Sequence, residues 1–214
     1  MTIPVLEARG VSFSYAPGIP IVEEWSAVFP AGSMIALTGP SGRGKSTLLY
    51  LLGLMLRPGS GDILVAGEEA ARLNDRAKAR LRAGIFGFVF QDAALDTTRT
   101  VLDNVIETAL YRGESRASAT RRANGLLERF GVDLRAHHKP GQVSGGQAQR
   151  IALCRALVNN PRILLADEPT GNLDPASTQV VVDALHGHAS TGAAVIIVTH
   201  DPEIAARCDI RIEL

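Results

Sequence analysis

One stretch decides the fold of this chain: Gly39-Pro40-Ser41-Gly42-Arg43-Gly44-Lys45-Ser46-Thr47. It matches G-x-x-x-x-G-K-[ST], a loop whose backbone N–H groups surround the phosphates of a nucleoside triphosphate. The apolar run Met34–Thr38 before it is typical of a strand, and the apolar run Leu48–Leu56 after it is typical of a helix. Because strand, glycine loop and helix form the context in which this motif binds phosphate, an ordinary glycine turn is the weaker interpretation.

The residue types within this stretch suit a triphosphate. Glycines let the backbone curl close to the phosphates, and the first amides of the following helix point at them. We expect Lys45 to reach the terminal phosphates and the Ser46 hydroxyl to bind a magnesium ion. Every residue from Gly39 to Thr47 is therefore a candidate for nucleotide binding.

Composition describes a globular chain with a sizeable core. Of its 214 residues, 46% are hydrophobic and 21% are charged, which allows one large domain or a core domain with an inserted lobe. Lys plus Arg equals Asp plus Glu at 22 each, so neither a nucleic-acid-binding tail nor a polybasic membrane anchor is indicated. The two cysteines lie far apart in sequence and favour a reducing compartment. We expect no secretory signal at the N-terminus and no segment long enough to cross a membrane.

The first thirty residues predict an antiparallel β layer. Val5–Tyr15 alternates apolar and polar residues around Arg9-Gly10, like two short strand pieces, and Ile21–Phe29 resumes the extended pattern after a turn. Within this layer, Tyr15 has two interpretations. It is either an aromatic residue that stacks on a base or a half-buried strand tyrosine, and the local sequence favours the second.

The middle of the chain predicts a helical lobe. From Thr100 to Phe130 the apolar spacing is wholly helical, and charged residues cover the other faces. We therefore expect one ATP-binding type of domain over residues 1–214, with a core formed by 1–91 and 159–214. The lobe is expected to occupy about residues 92–158.

Polar groups directly follow three predicted strands. Gln91 follows the first, Asp167 and Glu168 follow the second, and His200 follows the third. In α/β sheets the ligand groups lie at this carboxyl edge. Adjacent buried carboxylates are costly unless they hold a metal or activate water, so Asp167 is predicted to orient hydrated magnesium and Glu168 to accept a proton from water. His200 is predicted to contact the γ-phosphate, with a purely structural role as its alternative.

A second candidate phosphate site is Val143-Ser144-Gly145-Gly146-Gln147, which leads into an amphipathic helix. A serine with two glycines at a helix N-terminus exposes amides and a hydroxyl to an anion. A plain helix cap is the alternative. Two such helix ends in one chain suggest a second phosphate contact.

Together these motifs resemble the nucleotide-binding subunit of ABC transporters, over about Leu6 to Asp209. The glycine loop resembles Walker A, and Ile163–Asp167 with Glu168 resembles Walker B and the catalytic glutamate. Val143–Gln147 is similar to the LSGGQ signature of this superfamily, with Val143 where Leu is usual. The remaining correspondences are the Q-loop at Gln91, the D-loop at Asn172-Leu173-Asp174, the switch histidine at His200 and the adenine-stacking aromatic at Tyr15.

The resemblance implies an α/β fold: a P-loop NTPase core with a mostly parallel sheet, an N-terminal antiparallel β layer and an inserted α-helical lobe. It implies ATP hydrolysis in a head-to-tail homodimer that holds two ATP molecules at its interface. Each ATP would lie between the glycine loop of one subunit and the other subunit's Ser144, Gly145, Gly146 and Gln147. The implied catalytic residues are Glu168, His200 and Lys45, and the implied Mg²⁺ ligands are Ser46, Gln91 and Asp167.

The resemblance also implies a membrane context. Gln91 would pass the change caused by hydrolysis through the helical lobe to a separate transmembrane permease, which places the protein on the cytoplasmic face of the membrane. No nucleic-acid partner is implied.

Within the superfamily, Ala166–Asp174, Gly87–Gln91 and Leu102–Val105 are similar to the group that serves macrolide export, lipoprotein release and the cell-division complex. This subgroup favours a subunit that powers export or extraction. One alternative is the ATPase of a membrane signalling complex of the cell-division type, which transports nothing. A soluble DNA-repair or ribosome-associated ATPase is a third, but this chain has neither a coiled-coil insert nor tandem cassettes. We expect no C-terminal regulatory domain of the carbohydrate-importer kind.

Overall fold

The computed structural model describes residues 4–40, 42–171 and 173–214. It contains strands that belong to two sheets. In chain order the strands are β1 (Leu6–Phe13), β2 (Val22–Phe29), β3 (Ser33–Thr38), β4 (Ser60–Val65), β5 (Glu68–Glu69), β6 (Phe86–Val89), β7 (Ile163–Asp167), β8 (Ala194–Val198) and β9 (Ile210–Glu213).

The helices pack against the faces of these sheets and against one another. In chain order they are α1 (Lys45–Leu52), α2 (Asp75–Ile85), α3 (Val101–Tyr111), α4 (Arg116–Arg129), α5 (Gly145–Leu157), α6 (Pro175–Ala189) and α7 (Pro202–Ala206). Two single 3-10 turns, Asp133–Arg135 and Pro140–Gln142, connect α4 to α5.

The sheets confirm the predicted α/β fold. The larger sheet has five strands in the order β6-β7-β8-β3-β9, and each of its pairs is parallel. The smaller sheet has the order β2-β1-β4-β5 with antiparallel pairs, and it is the expected N-terminal layer. Because β3 lies in the larger sheet and β2 in the smaller, the chain crosses between layers at residues 30–32, one strand before the glycine loop.

The N-terminal strand differs from its prediction. Residues 5–15 were expected to form two short pieces, but Leu6–Phe13 is one strand with irregular register near Gly10. Gly10 has a φ of +55°, the left-handed conformation that a glycine adopts in one common type of β-bulge. On the neighbouring strand, a Cβ on Gly61 would lie 2.2 Å from the Gly10 carbonyl oxygen, so glycine is needed for this close approach.

Two apolar clusters pack on opposite faces of the larger sheet. On one face, Ile35, Leu37 and their neighbours pack against α1 and the antiparallel layer. On the other face, Met34, Leu164 and their neighbours pack against α6 and the helices of the lobe. This alternation follows the two-residue period of strands that are buried on both sides.

The predicted lobe corresponds to α3, α4 and α5. Helix α5 packs against α3 and α4, and it also packs against β6 of the core. Lobe residues such as Val105 and core residues such as Leu164 share one apolar cluster. The division into core and lobe at the expected boundaries stays a prediction, since α5 contacts both parts.

Candidate functional site

The glycine loop connects β3 to α1, as its sequence predicted. Gly42 and Gly44 have φ values of +79° and +81°, in the left-handed region that favours glycine. Lys45 is buried, with 8% of the residue exposed, and its ammonium donates hydrogen bonds of 2.8 Å to each of the carbonyl oxygens of Gly39 and Pro40. Lys45 therefore bridges two carbonyl groups of the loop and places its own positive charge at the centre of the loop. Ser41, one of the predicted binding residues, lies outside the described part of the chain.

Two glycines of this loop approach other backbone closely. A Cβ on Gly44 would lie 2.6 Å from Ile21 Cγ2, and a Cβ on Gly39 would lie 2.8 Å from the carbonyl oxygen of Leu214. Both distances are below ordinary contact, so each side chain would displace its neighbour. The loop conformation is thus tied to the segment before β2 and to the residue after β9.

Asp167 ends β7 and is almost fully buried, with 2% of its surface exposed. Burial raises the pKa of this carboxyl, and the neighbouring charge of Glu168 acts in the same direction. The nearby Ser46 hydroxyl and the Lys45 charge both oppose this increase in the pKa of Asp167. Asp167 and Ser46 therefore present neighbouring oxygen atoms at the first turn of α1.

Glu168 and His200 form a hydrogen-bonded pair at the ends of adjacent strands. The backbone N–H of His200 donates to Glu168 Oε1 over 3.1 Å, and its Nδ1 lies 2.7 Å from the same oxygen. This bond and the carboxylate charge raise the pKa of His200. Glu168 itself has a φ of +45°, a strained value for a residue with a Cβ, and such strain often occurs at functional sites.

A cleft of about 460 Å³ brings the predicted groups together. Its polar lining combines glycine-loop residues with the polar residues that follow β6, β7 and β8. These lining residues are Gly42, Gly44, Lys45, Ser46, Thr47, Gln91, Asp167, Glu168 and His200. The cleft is also lined by Ile21 and Val198, which the sequence did not single out because apolar side chains carry no chemical signal.

Tyr15 lies in a bend just after β1, near the glycine loop. Its hydroxyl is 3.2 Å from Thr47 Oγ1, and its ring meets Phe13 edge-on at a centroid distance of 4.9 Å. The residue is 65% exposed, so it is not the half-buried strand tyrosine that the local pattern favoured. Its predicted role in stacking on a base stays a prediction.

The Ser144 region forms a helix N-terminus away from this cleft. Ser144 caps α5: its Oγ accepts from the Gln147 N–H over 3.3 Å, and Gln147 Oε1 accepts from the Ser144 N–H over 3.0 Å. Ser144 and Gly145 are exposed. The cleft described above is not lined by Ser144, Gly145, Gly146 or Gln147. One chain therefore carries two phosphate-suited helix ends in different places.

The segment after Glu168 is only partly described. Asp174 caps α6, where its carboxylate accepts from the Ser177 N–H over 3.0 Å and from the Ser177 hydroxyl over 2.7 Å. Asn172, the first residue of the predicted D-loop, lies outside the described residues. The capping role follows from the Asp-Pro pair at the helix start.

The helices of the described ranges were compared with the length and hydropathy of membrane-spanning helices. Across residues 4–40, 42–171 and 173–214, no helix combines the length and hydropathy that crossing a membrane requires.

The sequence has relatives among transport ATPases. It is 42% identical to the "Lipoprotein-releasing system ATP-binding protein LolD" of Roseobacter denitrificans, over 100% of this chain and 96% of the relative. It is 43% identical to the "Macrolide export ATP-binding/permease protein MacB" of Photorhabdus laumondii over 98% of this chain, which spans only 33% of that longer protein.

The structure has solved relatives as well. It matches the ATP-binding cassette MJ0796 in a dimeric post-hydrolysis state bound to ADP and Pi, with a TM-score of 0.92 and 32% identity. That match covers 98% of this chain and 94% of the cassette. The family described as ABC transporter matches residues 22–171, which is more than half of the chain. Together with the glycine loop and the carboxylates at the strand ends, this shows that the chain belongs to the ABC transporter family, as an ATP-binding and ATP-hydrolysing subunit.

Proposed function

We propose that this chain powers export or extraction of a substrate through a separate membrane permease, and that it does so as a homodimer with ATP at the interface. One observation supports the proposed dimer. The cleft at the glycine loop contains the candidate hydrolytic groups, while the helix end at Ser144 lies outside it. A two-fold dimer resolves this, because it can bring the Ser144 end of one copy to the cleft of the other.

The names of the relatives support the permease partner. LolD is named as the ATP-binding protein of a lipoprotein-releasing system, and MacB is named as an ATP-binding and permease protein for macrolide export. We infer that a permease recruits this chain to the cytoplasmic face of a membrane as a peripheral subunit. The loop with Gln91 leads from the cleft into the helical lobe, and we propose this segment as the route to the permease.

The cleft fits a magnesium ion. Mg²⁺ prefers oxygen ligands, and the same cleft is lined by a buried carboxylate, a hydroxyl and an amide, at Asp167, Ser46 and Gln91. Burial disfavours the charged form of Asp167, so a cation beside it would offset this cost. When bound, the ion would neutralise charge on the phosphate oxygens.

The chain's own residues supply the other steps of hydrolysis. Lys45 would exchange its loop carbonyl partners for phosphate oxygens, which are charged and therefore stronger acceptors. Glu168 would take a proton from the attacking water at Oε2, because Oε1 already accepts both hydrogen bonds from His200. Through those bonds His200 would hold the carboxylate in place. Tyr15 is proposed to stack on the adenine, where its exposed ring lies beside the first turn of α1.

The shared site can be tested by mixing two inactive variants. Lys45→Ala impairs the glycine loop, and Ser144→Asp keeps a good helix cap but places a negative charge against the partner's triphosphate. In a mixed dimer, one interface combines both changes and the other combines an unaltered glycine loop with an unaltered Ser144. We expect each variant alone to be nearly inactive and the mixture to recover ATP hydrolysis.

The control is an energy-transfer measurement that confirms subunit exchange in the mixture. If the mixed dimers form and remain as inactive as the separate variants, the two helix ends do not share a nucleotide. Equal loss of ATP binding by monomeric Ser144→Asp and monomeric Lys45→Ala would also contradict the cross-dimer contact, since only Lys45 would touch ATP within one chain.

A further inference from the structure

The segment directly after Gln91 has an unusual backbone. Ala93 and Ala94 have φ values of +57° and +47°, so two successive residues with a Cβ adopt the left-handed conformation. Isolated L-residues rarely do so, because the Cβ approaches the following carbonyl oxygen. Contacts from elsewhere in the molecule must therefore hold this turn.

Arg155 of helix α5 provides those contacts. Its Nη2 donates to the Ala93 carbonyl oxygen over 2.7 Å, and its Nη1 donates to the Ala94 carbonyl oxygen over 2.6 Å. A guanidinium is a rigid planar fork, so two parallel hydrogen bonds fix both the position and the orientation of the carbonyl pair. Arg155 thus binds the two strained residues, Ala93 and Ala94, to α5.

The same helix also holds the other side of Gln91. Gln149 is 2% exposed, and its Nε2 donates to the Phe90 carbonyl oxygen over 3.4 Å. That oxygen also accepts from the Ala93 N–H over 3.1 Å, which closes the turn around Gln91. Helix α5 therefore holds the backbone on both sides of Gln91, at Phe90 and at Ala93-Ala94, whereas Gln91 lines the cleft.

We propose that Arg155 is a positioning residue that makes the Gln91 turn, defined here as residues 90–94, move with helix α5 as one body. The inference rests on the proposed role of Gln91 as a metal ligand. Because α5 begins at the Ser144 cap, a displacement of that cap would carry the Gln91 amide toward or away from the cleft. No pattern in the sequence indicates this role, since Arg155 resembles any charged residue on an amphipathic helix.

The first measurement is independent of activity. We expect Arg155→Met to increase the hydrogen-exchange rate of the Ala93 amide by about tenfold or more in the absence of nucleotide, because two hydrogen bonds from a charged donor are lost. Arg155→Lys should give a smaller increase, since an ammonium lacks the planar fork. The lysine variant also serves where the methionine variant fails to fold.

The matched control is Arg122→Met. Arg122 Nε donates to the Val158 carbonyl oxygen over 2.8 Å, so it holds the C-terminal end of α5 by a similar bond but does not touch the Gln91 turn. We expect Arg122→Met to leave exchange at Ala93 unchanged. Equal exchange at Ala93 in the Arg155 variants and the Arg122 variant would overturn the proposal.

The second measurement links the turn to the site. In steady-state hydrolysis, Arg155→Lys should raise the Mg²⁺ concentration for half-maximal rate and lower kcat, while the KM for ATP stays within about twofold. Gln91→Ala should raise the Mg²⁺ requirement at least as much. If Gln91→Ala leaves that requirement unchanged, the proposed role of Gln91 fails. If Gln91→Ala raises it and the Arg155 variants do not, the positioning role alone fails.

Discussion

Replacement of Glu168 by Gln tests the proposed proton acceptor with little change in shape. Gln has the same number of heavy atoms, and its carbonyl oxygen can still accept from the His200 N–H over about the 3.1 Å seen here. The Glu168 N–H bond to the Val198 carbonyl oxygen, 3.0 Å long, involves only backbone and is also kept. The change thus removes the negative charge and the basic oxygen, and little else.

The expected size of the effect follows from this selectivity. A positioned general base contributes about 10²–10⁴-fold to a rate, which corresponds to roughly 2.7–5.5 kcal/mol of transition-state stabilisation. Since Lys45, Ser46 and Asp167 are unaltered, ATP binding should stay within about threefold of wild type. Binding without turnover should allow ATP to accumulate at the interface, so the variant should form a stable dimer.

The assay is single-turnover release of phosphate, with ATP binding and size-exclusion chromatography measured on the same preparation. A matched control is Glu128→Gln, which changes an exposed glutamate of α4 and should hydrolyse ATP at the wild-type rate. A wild-type rate in Glu168→Gln would show that another group accepts the proton. Loss of ATP binding in that variant would instead indicate that the carboxylate supports the glycine loop.

Two further predictions concern strain and titration. Gly42→Ala should lower the free energy of unfolding by about 1–2 kcal/mol, the usual cost of the left-handed conformation, because no described residue other than its chain neighbour comes within 4 Å of the new Cβ. Gly44→Ala should lower the free energy of unfolding by roughly 1–3 kcal/mol more than Gly42→Ala, because its Cβ would lie 2.6 Å from Ile21. Chemical denaturation measures both variants, and equal losses of stability would refute this packing argument. The pKa of His200 is raised by its bond to Glu168, so the stability from the protonated ring is complete below the ordinary histidine pKa. It is then lost as pH rises through the folded-state pKa, and an NMR titration should find a lower His200 pKa in Glu168→Gln than in wild type.

Local sequence signals predicted most helices and strands of the core. Helix α6 (Pro175–Ala189) starts directly after Asp174, where a capping aspartate followed by a proline is a helix-start signal in the sequence. Helix α1 was predicted to continue to Leu56, but it ends at Leu52, where Gly53 forms the cap. Strand β9 was not predicted, since its residues Ile210–Glu213 are few and alternate only twice.

The sequence predicted only those site residues whose side-chain chemistry is itself a signal. Carboxylates and amides that follow apolar strands indicated Asp167, Glu168 and Gln91, because parallel strands end at one edge of a sheet. The pairing of Glu168 with His200 spans 32 residues, and no local pattern encodes it. The exposure of Tyr15 was likewise hidden, because it depends on where β1 ends and not on alternation along the strand.

Helix α5 connects two regions that the sequence presented as separate. Its first residue follows Ser144, which is proposed to bind the partner's ATP, and its Arg155 holds the turn at the chain's own cleft. Eleven positions separate these residues, which corresponds to about 16 Å along a rigid helix. In the proposed dimer, ATP in one site would therefore bias the position of α5, and through it the Gln91 amide in the other site. The two sites would then be coupled within each chain as well as across the interface, and the coupling should weaken when the Arg155 fork is removed.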